Sequence, residues 1–259
     1  MKKIMYFLLI ILSVSLVACE DKKVKETKLT YKATQKLPEV SSADKDGLYI
    51  YGFNADCTGH VYDEATQTGT LNFAMEPLSM FEVFSGCKDL ISVNLPSTIF
   101  QIGSNTFKDS GLKEFTFPDG VNAVGIHAFA NTQIESIIFP STVTSIGTAA
   151  FQDCKRLTEV YFFNGIDKLS DHIFENCTAL KTVFLPASLS RMSYNTFKGC
   201  TSLATVTCMA SVPPTISPYV FEGIPSDVKL YVPKTSLNAY KTNSNWTKSF
   251  RVENILPLE

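Results

Sequence analysis

Phenylalanine recurs along this chain at a nearly constant interval. Phe84, Phe107, Phe129, Phe151, Phe174, Phe197 and Phe221 are separated by 23, 22, 22, 23, 23 and 24 residues. Such a period marks a stacked architecture, in which one unit is too small to bury its apolar side and its neighbours supply the missing surface. The units agree beyond the Phe: Phe151, Cys154, Leu157 and Val160 keep the offsets of Phe174, Cys177, Leu180 and Val183. The units at Phe107 and Phe129 are one residue shorter before the next aliphatic, Leu112 or Ile134, which accounts for both 22-residue intervals.

Within a unit, residues 92–95 read as a short strand. Side chains alternate along a strand, so Val93 and Leu95 point inward while Ser92 and Asn94 face solvent. Stretches 114–117, 136–139, 159–162 and 182–185 repeat the pattern, and stacking them predicts one continuous parallel sheet. Residues 70–73 lie 22 positions before 92–95 and read as a degenerate first rung, with strands near 29–33 and 60–62 ahead of it. At the other end the helix-prone segment 236–242, with Trp246, is expected to cap the stack.

The apolar pattern comes with Leu95-Pro96, Phe117-Pro118, Phe139-Pro140 and Leu185-Pro186, and with Ile102-Gly103 and Ile146-Gly147. In these features the chain resembles the BspA-like leucine-rich repeats of bacterial surface proteins. Val212 to Ile216, Leu230 to Pro233, Leu237 to Tyr240 and Trp246 resemble that family's closing segment. Phe162-Phe163 departs from the Leu-Pro pair, and Leu169-Ser170, Met192-Ser193 and Ile216-Ser217 depart from Ile-Gly. The resemblance implies a mainly β leucine-rich-repeat solenoid of about eight rungs, with a parallel sheet, short helical turns and capped ends. The expected division is a signal peptide over 1–18, a lipidated Cys and tether over 19–27, an N-terminal cap with the first degenerate rung over 28–75, leucine-rich repeats over 76–233 and a C-terminal cap over 234–259.

The beginning of the chain has its own signature. Lys2 and Lys3 precede an apolar run from Ile4 to Leu12, and the segment closes on Leu16-Val17-Ala18-Cys19. That is a secretory leader, too short to span a membrane comfortably, and its end resembles the bacterial lipobox. Cys19 is therefore the expected lipid attachment site, since a multiply acylated Cys anchors a protein without a transmembrane helix. Residues 20–26 carry charge and almost nothing to bury, as a solvated tether would. Glu20-Asp21 weakly resembles the acidic start of surface-exported lipoproteins. The expected location is the bacterial cell envelope, lipid-anchored at the outer membrane, with surface exposure left open. Without residues 1–18 the chain has 21 basic and 25 acidic residues, and no basic block stands out, so nucleic acid is not an expected partner.

Residues with chemical potential are few. Cys87, Cys154, Cys177 and Cys200 all stand three positions after the repeat Phe, with Ser110 and Thr132 as equivalents in the short units. A ladder of small, readily buried side chains explains them better than metal or redox chemistry, and reduced thiols are expected. His60, His127 and His172 have no metal-ligand spacing, and neither a G-x-S-x-G elbow nor a Gly-rich phosphate loop occurs. Glu114 and Glu159, two rungs apart on the outer face, would stand roughly 10 Å from each other, but an open sheet offers no pocket to tune a carboxyl group. No catalytic, cofactor-binding or metal-binding residues are expected.

One outward position read through the rungs gives Asn72, Asn94, Thr116, Ile138, Tyr161, Phe184, Thr207 and Tyr231. Its middle is apolar. Ile138, Tyr161 and Phe184 should be neighbours about 4.8 Å apart, with Phe163 beside them. An exposed aromatic patch is a candidate contact site, although such ladders also stabilise neighbouring strands without any ligand. The resemblance to bacterial adhesins implies a non-enzymatic surface protein that binds a protein or host-matrix ligand, with Ile138, Tyr161, Phe163, Phe184 and Tyr231 as contact residues. The alternatives are a glycan-binding module, with Tyr161, Phe184 and Tyr231 as stacking platforms, and a structural envelope component.

Overall fold

The computed structural model describes residues 27–35, 37, 57–73 and 79–258. The leader, Cys19 and the tether up to residue 26 lie outside these described residues. No helix among the described residues is long and apolar enough to cross a membrane.

From Ser79 onward the chain coils as a mainly β solenoid of about eight turns, each turn presenting three faces. The first face carries the longer strands Leu90–Asn94, Glu114–Phe115, Ser136–Phe139, Glu159–Phe162, Thr182–Leu185, Thr205–Cys208, Lys229–Val232 and Ile255–Pro257. Their inward residues, such as Val160 and Phe162, are buried, while Glu159 and Tyr161 face outward. The second face carries strands of two residues, from Ser79–Met80 to Thr215–Ile216. Between neighbouring rungs each ladder is parallel, as in Val160↔Val183 and Met80↔Ile102.

The third face surrounds the repeat Phe and has no strand, yet it is hydrogen-bonded from rung to rung. Phe84 N–H donates to Thr106 C=O at 2.8 Å, Phe107 to Ala128 at 2.7 Å, Phe129 to Ala150 at 2.8 Å, and Phe151, Phe174 and Phe197 to Ile173, Thr196 and Val220 at 2.9 Å. Two left-handed positions make this possible. Two residues after each Phe stand Gly86, Asp109, Asn131, Asp153, Asn176, Gly199 and Gly223, all at positive φ. These are the residue types that tolerate that region. Two residues before each Phe stand Glu82, Asn105, His127, Ala149, His172, Asn195 and Tyr219, also at positive φ. The Phe rings form a buried stack inside this face, with consecutive centroids 5.5, 5.1, 4.8, 5.6, 5.4 and 5.5 Å apart.

Two expectations are corrected here. The first face is not one continuous sheet: a five-stranded sheet ends at Glu114–Phe115 and a six-stranded sheet starts at Ser136–Phe139. The inward position held by Val93, Ile137, Val160 and Val183 is Phe115 in the rung before the break. Its ring packs 5.4 Å from Phe107, 5.0 Å from Phe117 and 4.8 Å from Phe129. The two one-residue-short units flank the same break. The second face divides one rung pair further on, between Ser145–Ile146 and Lys168–Leu169, so among the described residues only the third face runs unbroken from Phe84 to Phe221.

Residues 70–73 are not a first rung of the parallel sheet. The strands β1 (Thr27–Ala33), β2 (Cys57–Asp63) and β3 (Thr68–Phe73) form an antiparallel unit in which β1 lies between β3 and Leu90–Asn94. The strand expected at 70–73 exists, but spacing along the chain does not decide which strand reaches the sheet edge. The strand from further upstream occupies it, with Tyr31 opposite Val93. Tyr31 is buried, its hydroxyl hydrogen-bonds His60 Nε2 at 2.6 Å, and its ring lies 6.4 Å from Phe84, joining this unit to the Phe stack.

The other end is closed by the helices Leu237–Thr242 and Ser244–Thr247. Trp246 is fully buried, donates from Nε1 to Pro214 C=O at 2.9 Å, and lies 6.0 Å from the last ring of the stack, Phe221. Tyr240, also buried, donates to Ala210 C=O at 2.8 Å. The chain then returns to add Ile255–Pro257 in parallel beside Lys229–Val232, a final strand that the sequence pattern did not suggest.

Candidate ligand-binding face

The parallel register places the outward column as alternation demands. Tyr161 pairs with Ile138 on one side and Phe184 on the other, Phe184 with Thr207, and Thr207 with Tyr231. All five side chains are half-buried by their neighbours and half open to solvent. Thr207 separates Tyr231 from the contiguous trio, and the returning strand adds Leu256 opposite Tyr231, extending the apolar column by a residue missed in sequence. The only sequence sign of Leu256 was its place in a short apolar run outside the repeat.

Phe163 stands two positions after Tyr161, where neighbouring rungs have Pro140 and Pro186, and it is 42% exposed. Its N–H donates to Phe139 C=O at 3.0 Å, which a proline could not do. Met209 occupies the equivalent place two rungs on, with its N–H donating to Leu185 C=O at 3.1 Å. Phe163 therefore widens the apolar surface beside Tyr161.

On the other side of the column lie Ser136, Glu159, Thr182, Thr205 and Lys229, matched in the same registers. Tyr161 donates its hydroxyl to Glu159 Oε2 at 3.3 Å, and burial together with the Glu159 charge raises the phenol above its ordinary range. The ring is thus tethered at its polar end while its face stays available. Glu114 stands across the sheet break from Glu159, and both are exposed on an open surface, so the structure builds no enclosed carboxylate pair between them.

The cysteines point into the core, Cys208 from the first-face strand Thr205–Cys208 itself. Cys154, Cys177, Cys200 and Cys208 are buried, and they and the half-buried Cys87 are free thiols. Burial raises the thiols of Cys177 and Cys208, and pushes Cys200 up to about 12, far from the range of a reactive thiolate. His172 meets Glu175 at 2.9 Å, while Tyr31 holds His60, and burial pulls the His127 imidazole below its ordinary value. Among the described residues no group of three His, Cys, Asp or Glu side chains is placed to hold a metal ion.

A family model for the BspA type leucine rich repeat region matches residues 80–204 and 123–246, in six copies. The chain belongs to the BspA-type leucine-rich-repeat family. Among solved structures, a leucine-rich repeat protein from Eubacterium ventriosum ATCC 27560 is 20% identical, with a TM-score of 0.46, over 56% of this chain and 41% of that one. A leucine-rich repeat protein from Bacteroides ovatus ATCC 8483 is 17% identical, with a TM-score of 0.40, over 72% of this chain and 66% of that one. A leucine rich cell surface protein from Faecalibacterium prausnitzii A2-165 is 21% identical, with a TM-score of 0.33, over 70% of this chain and 63% of that one. This BspA-type chain therefore covers less than two thirds of the length of each. No curated protein matches it.

Proposed function

We propose that this protein is a non-enzymatic, lipid-anchored component of the bacterial cell surface that binds a protein or host-matrix ligand on its first face. The reading is carried by one observation: Ile138, Tyr161 and Phe184 form an unbroken, half-exposed apolar column, with Phe163 beside it at a position that neighbouring rungs fill with proline. Interfaces concentrate their energy in a few such anchors, and the hydroxyls of Ser136, Thr182 and Thr205 with the charges of Glu159 and Lys229 alongside offer polar groups that a ligand must pair as it covers them. The outer-membrane anchor rests on Leu16-Val17-Ala18-Cys19.

The test is an array of host-matrix proteins and glycans probed with the protein lacking residues 1–19, followed by titration of any ligand found. Tyr161→Ala combined with Phe184→Ala should weaken a protein ligand by at least about 2 kcal/mol, against an Asn94→Ala control. Equal affinities for the double variant and the control would leave the column a strand-pairing ladder only. Binding confined to glycans would replace a protein partner with a sugar. Labelled fatty acid taken up by the wild type and lost in Cys19→Ala tests the anchor separately.

A further inference from the structure

Five equivalent four-residue corners lead the chain from the first face to the second, at 96–99, 118–121, 140–143, 163–166 and 186–189. Four of them are closed by a hydrogen bond from the N–H of the last residue to the carbonyl of the opening proline: Ile99 to Pro96 at 3.2 Å, Val121 to Pro118 and Val143 to Pro140 at 3.1 Å, and Leu189 to Pro186 at 3.3 Å. The corner 163–166 opens on Phe163 instead, and among the described residues no bond from Ile166 N–H to Phe163 C=O closes it. The strand it leads into, Lys168–Leu169, is the one that does not pair with Ser145–Ile146 where the second face divides. Of the five corners this one therefore has the fewest backbone restraints.

The open corner holds Asn164-Gly165, the one Asn-Gly pair in the sequence. Its backbone demands the glycine, because φ is +145° and a Cβ there would run into the Ser141 carbonyl. The asparagine is not demanded, since Ser97, Asp119, Ser141 and Ala187 fill the same place in the other corners. Asn164 is exposed, and among the described residues no hydrogen bond holds its carboxamide. The Gly165 N–H has one long partner, the Ser188 hydroxyl of the next rung at 3.3 Å, which itself donates to Ile166 C=O at 2.7 Å. An Asn side chain reacts with its own backbone when the following nitrogen can reach Cγ, and a glycine, lacking Cβ, hinders that approach least. We infer that Asn164 is a site of spontaneous deamidation. The Gly165 nitrogen bonds to Asn164 Cγ, the Cγ–Nδ2 bond breaks, and the nitrogen's proton passes through water to the leaving ammonia, which closes a five-membered imide. Water then opens the imide at the bond from Cγ to the Gly165 nitrogen, giving Asp, or at the bond from the Asn164 backbone carbonyl carbon to that nitrogen, giving isoaspartate with the chain routed through the side chain. Either product sets a carboxylate beside Phe163, at the border of the apolar column, so an aged molecule carries a negative charge there that a new one lacks.

The test is peptide mapping of the folded protein after incubation in mildly alkaline buffer, with fragmentation that tells Asp from isoaspartate. Asn164 should convert at least tenfold faster than Asn243, whose Oδ1 accepts from the N–H groups of Asn245 and Trp246, and both products should appear. Ser188→Ala removes the one partner of the Gly165 N–H and should speed the conversion of Asn164 twofold or more while Asn243 keeps its rate. Ser188→Thr keeps the hydroxyl and should hold the wild-type rate, which separates release of that N–H from general loosening of the corner. The inference is overturned if Asn164 converts no faster than Asn243, if it converts in denaturant but not in the folded protein, or if Asp forms without isoaspartate. It is also overturned if Ser188→Ala leaves the rate unchanged, or if Ser188→Thr raises it as much as Ser188→Ala does.

Discussion

The thiol of Cys177 donates to the backbone carbonyl of Phe151, one rung earlier, at 3.2 Å. Cys154 repeats the contact to Phe129 at 3.1 Å and Cys200 to Phe174 at 3.3 Å. In the short unit Thr132 bonds the carbonyl of its own Phe129 at 2.9 Å. Cys154, Cys177 and Cys200 are thus weak donors that tie their rungs to the Phe of the preceding one, whereas Thr132 bonds within its own rung and Ser110 accepts from Leu112 N–H at 3.5 Å, so the short units keep the fold without that inter-rung contact.

These thiols should resist alkylation in the native state and react in denaturant, as mass spectrometry of iodoacetamide-treated protein would show. A Cys177 to Cys200 crosslink in protein handled without oxidants would overturn the structural reading. The pH dependence follows from the raised thiols. Cys200 ionises near its ordinary value of 9.0 in the unfolded chain but near 12 in the fold, so its contribution to stability is full below about pH 9 and is lost as pH rises towards 12. Urea midpoints should fall over that interval, and less steeply in Cys200→Ser.

Phe151 lies 4.8 Å from Phe129 and 5.6 Å from Phe174 within the buried stack. Its replacement by Ala should cost roughly 3 to 5 kcal/mol through lost burial and a residual cavity. Phe174→Ala should cost a similar amount. Chemical denaturation measures both, and an unchanged midpoint in either would mean that the stack does not carry the fold.

Gly86 sits at φ +73° with nothing within 4 Å of where a Cβ would stand. Gly86→Ala should therefore destabilise through its backbone alone, by about 1 kcal/mol, and Gly86→Asn should recover part of the loss because Asn tolerates the left-handed region. A neutral Gly86→Ala would show that the third face does not depend on its positive-φ column.

The break after Glu114–Phe115 leaves backbone groups of the first face without partners in the next rung. Amides over 115–117 and 136–139 should exchange with solvent faster than those over 159–162 and 182–185, while the third-face amides of Phe107 and Phe129 stay protected. Residue-resolved hydrogen exchange checks this. Equal protection on both sides would mean that the sheet is closed in solution.

The repeat, its core and its outward column were legible in the order of amino acids alone. Burying Phe once per turn fixes the period, and the two-residue alternation of a strand fixes which side chains face out, so Ile138, Tyr161 and Phe184 could be aligned before any coordinates. The seven Asx and Gly residues two positions after each Phe were an equally regular signal of the left-handed turns, and counting apolar residues alone passed over them. What depends on contacts between distant segments emerged only in the folded chain: that β1 rather than residues 70–73 covers the sheet edge, that Leu256 returns to extend the column, and that the first face divides after Phe115. Periodicity describes a rung and its copies, whereas edges, breaks and returns arise from unequal neighbours meeting in space, where side-chain volume and free backbone groups choose the partner.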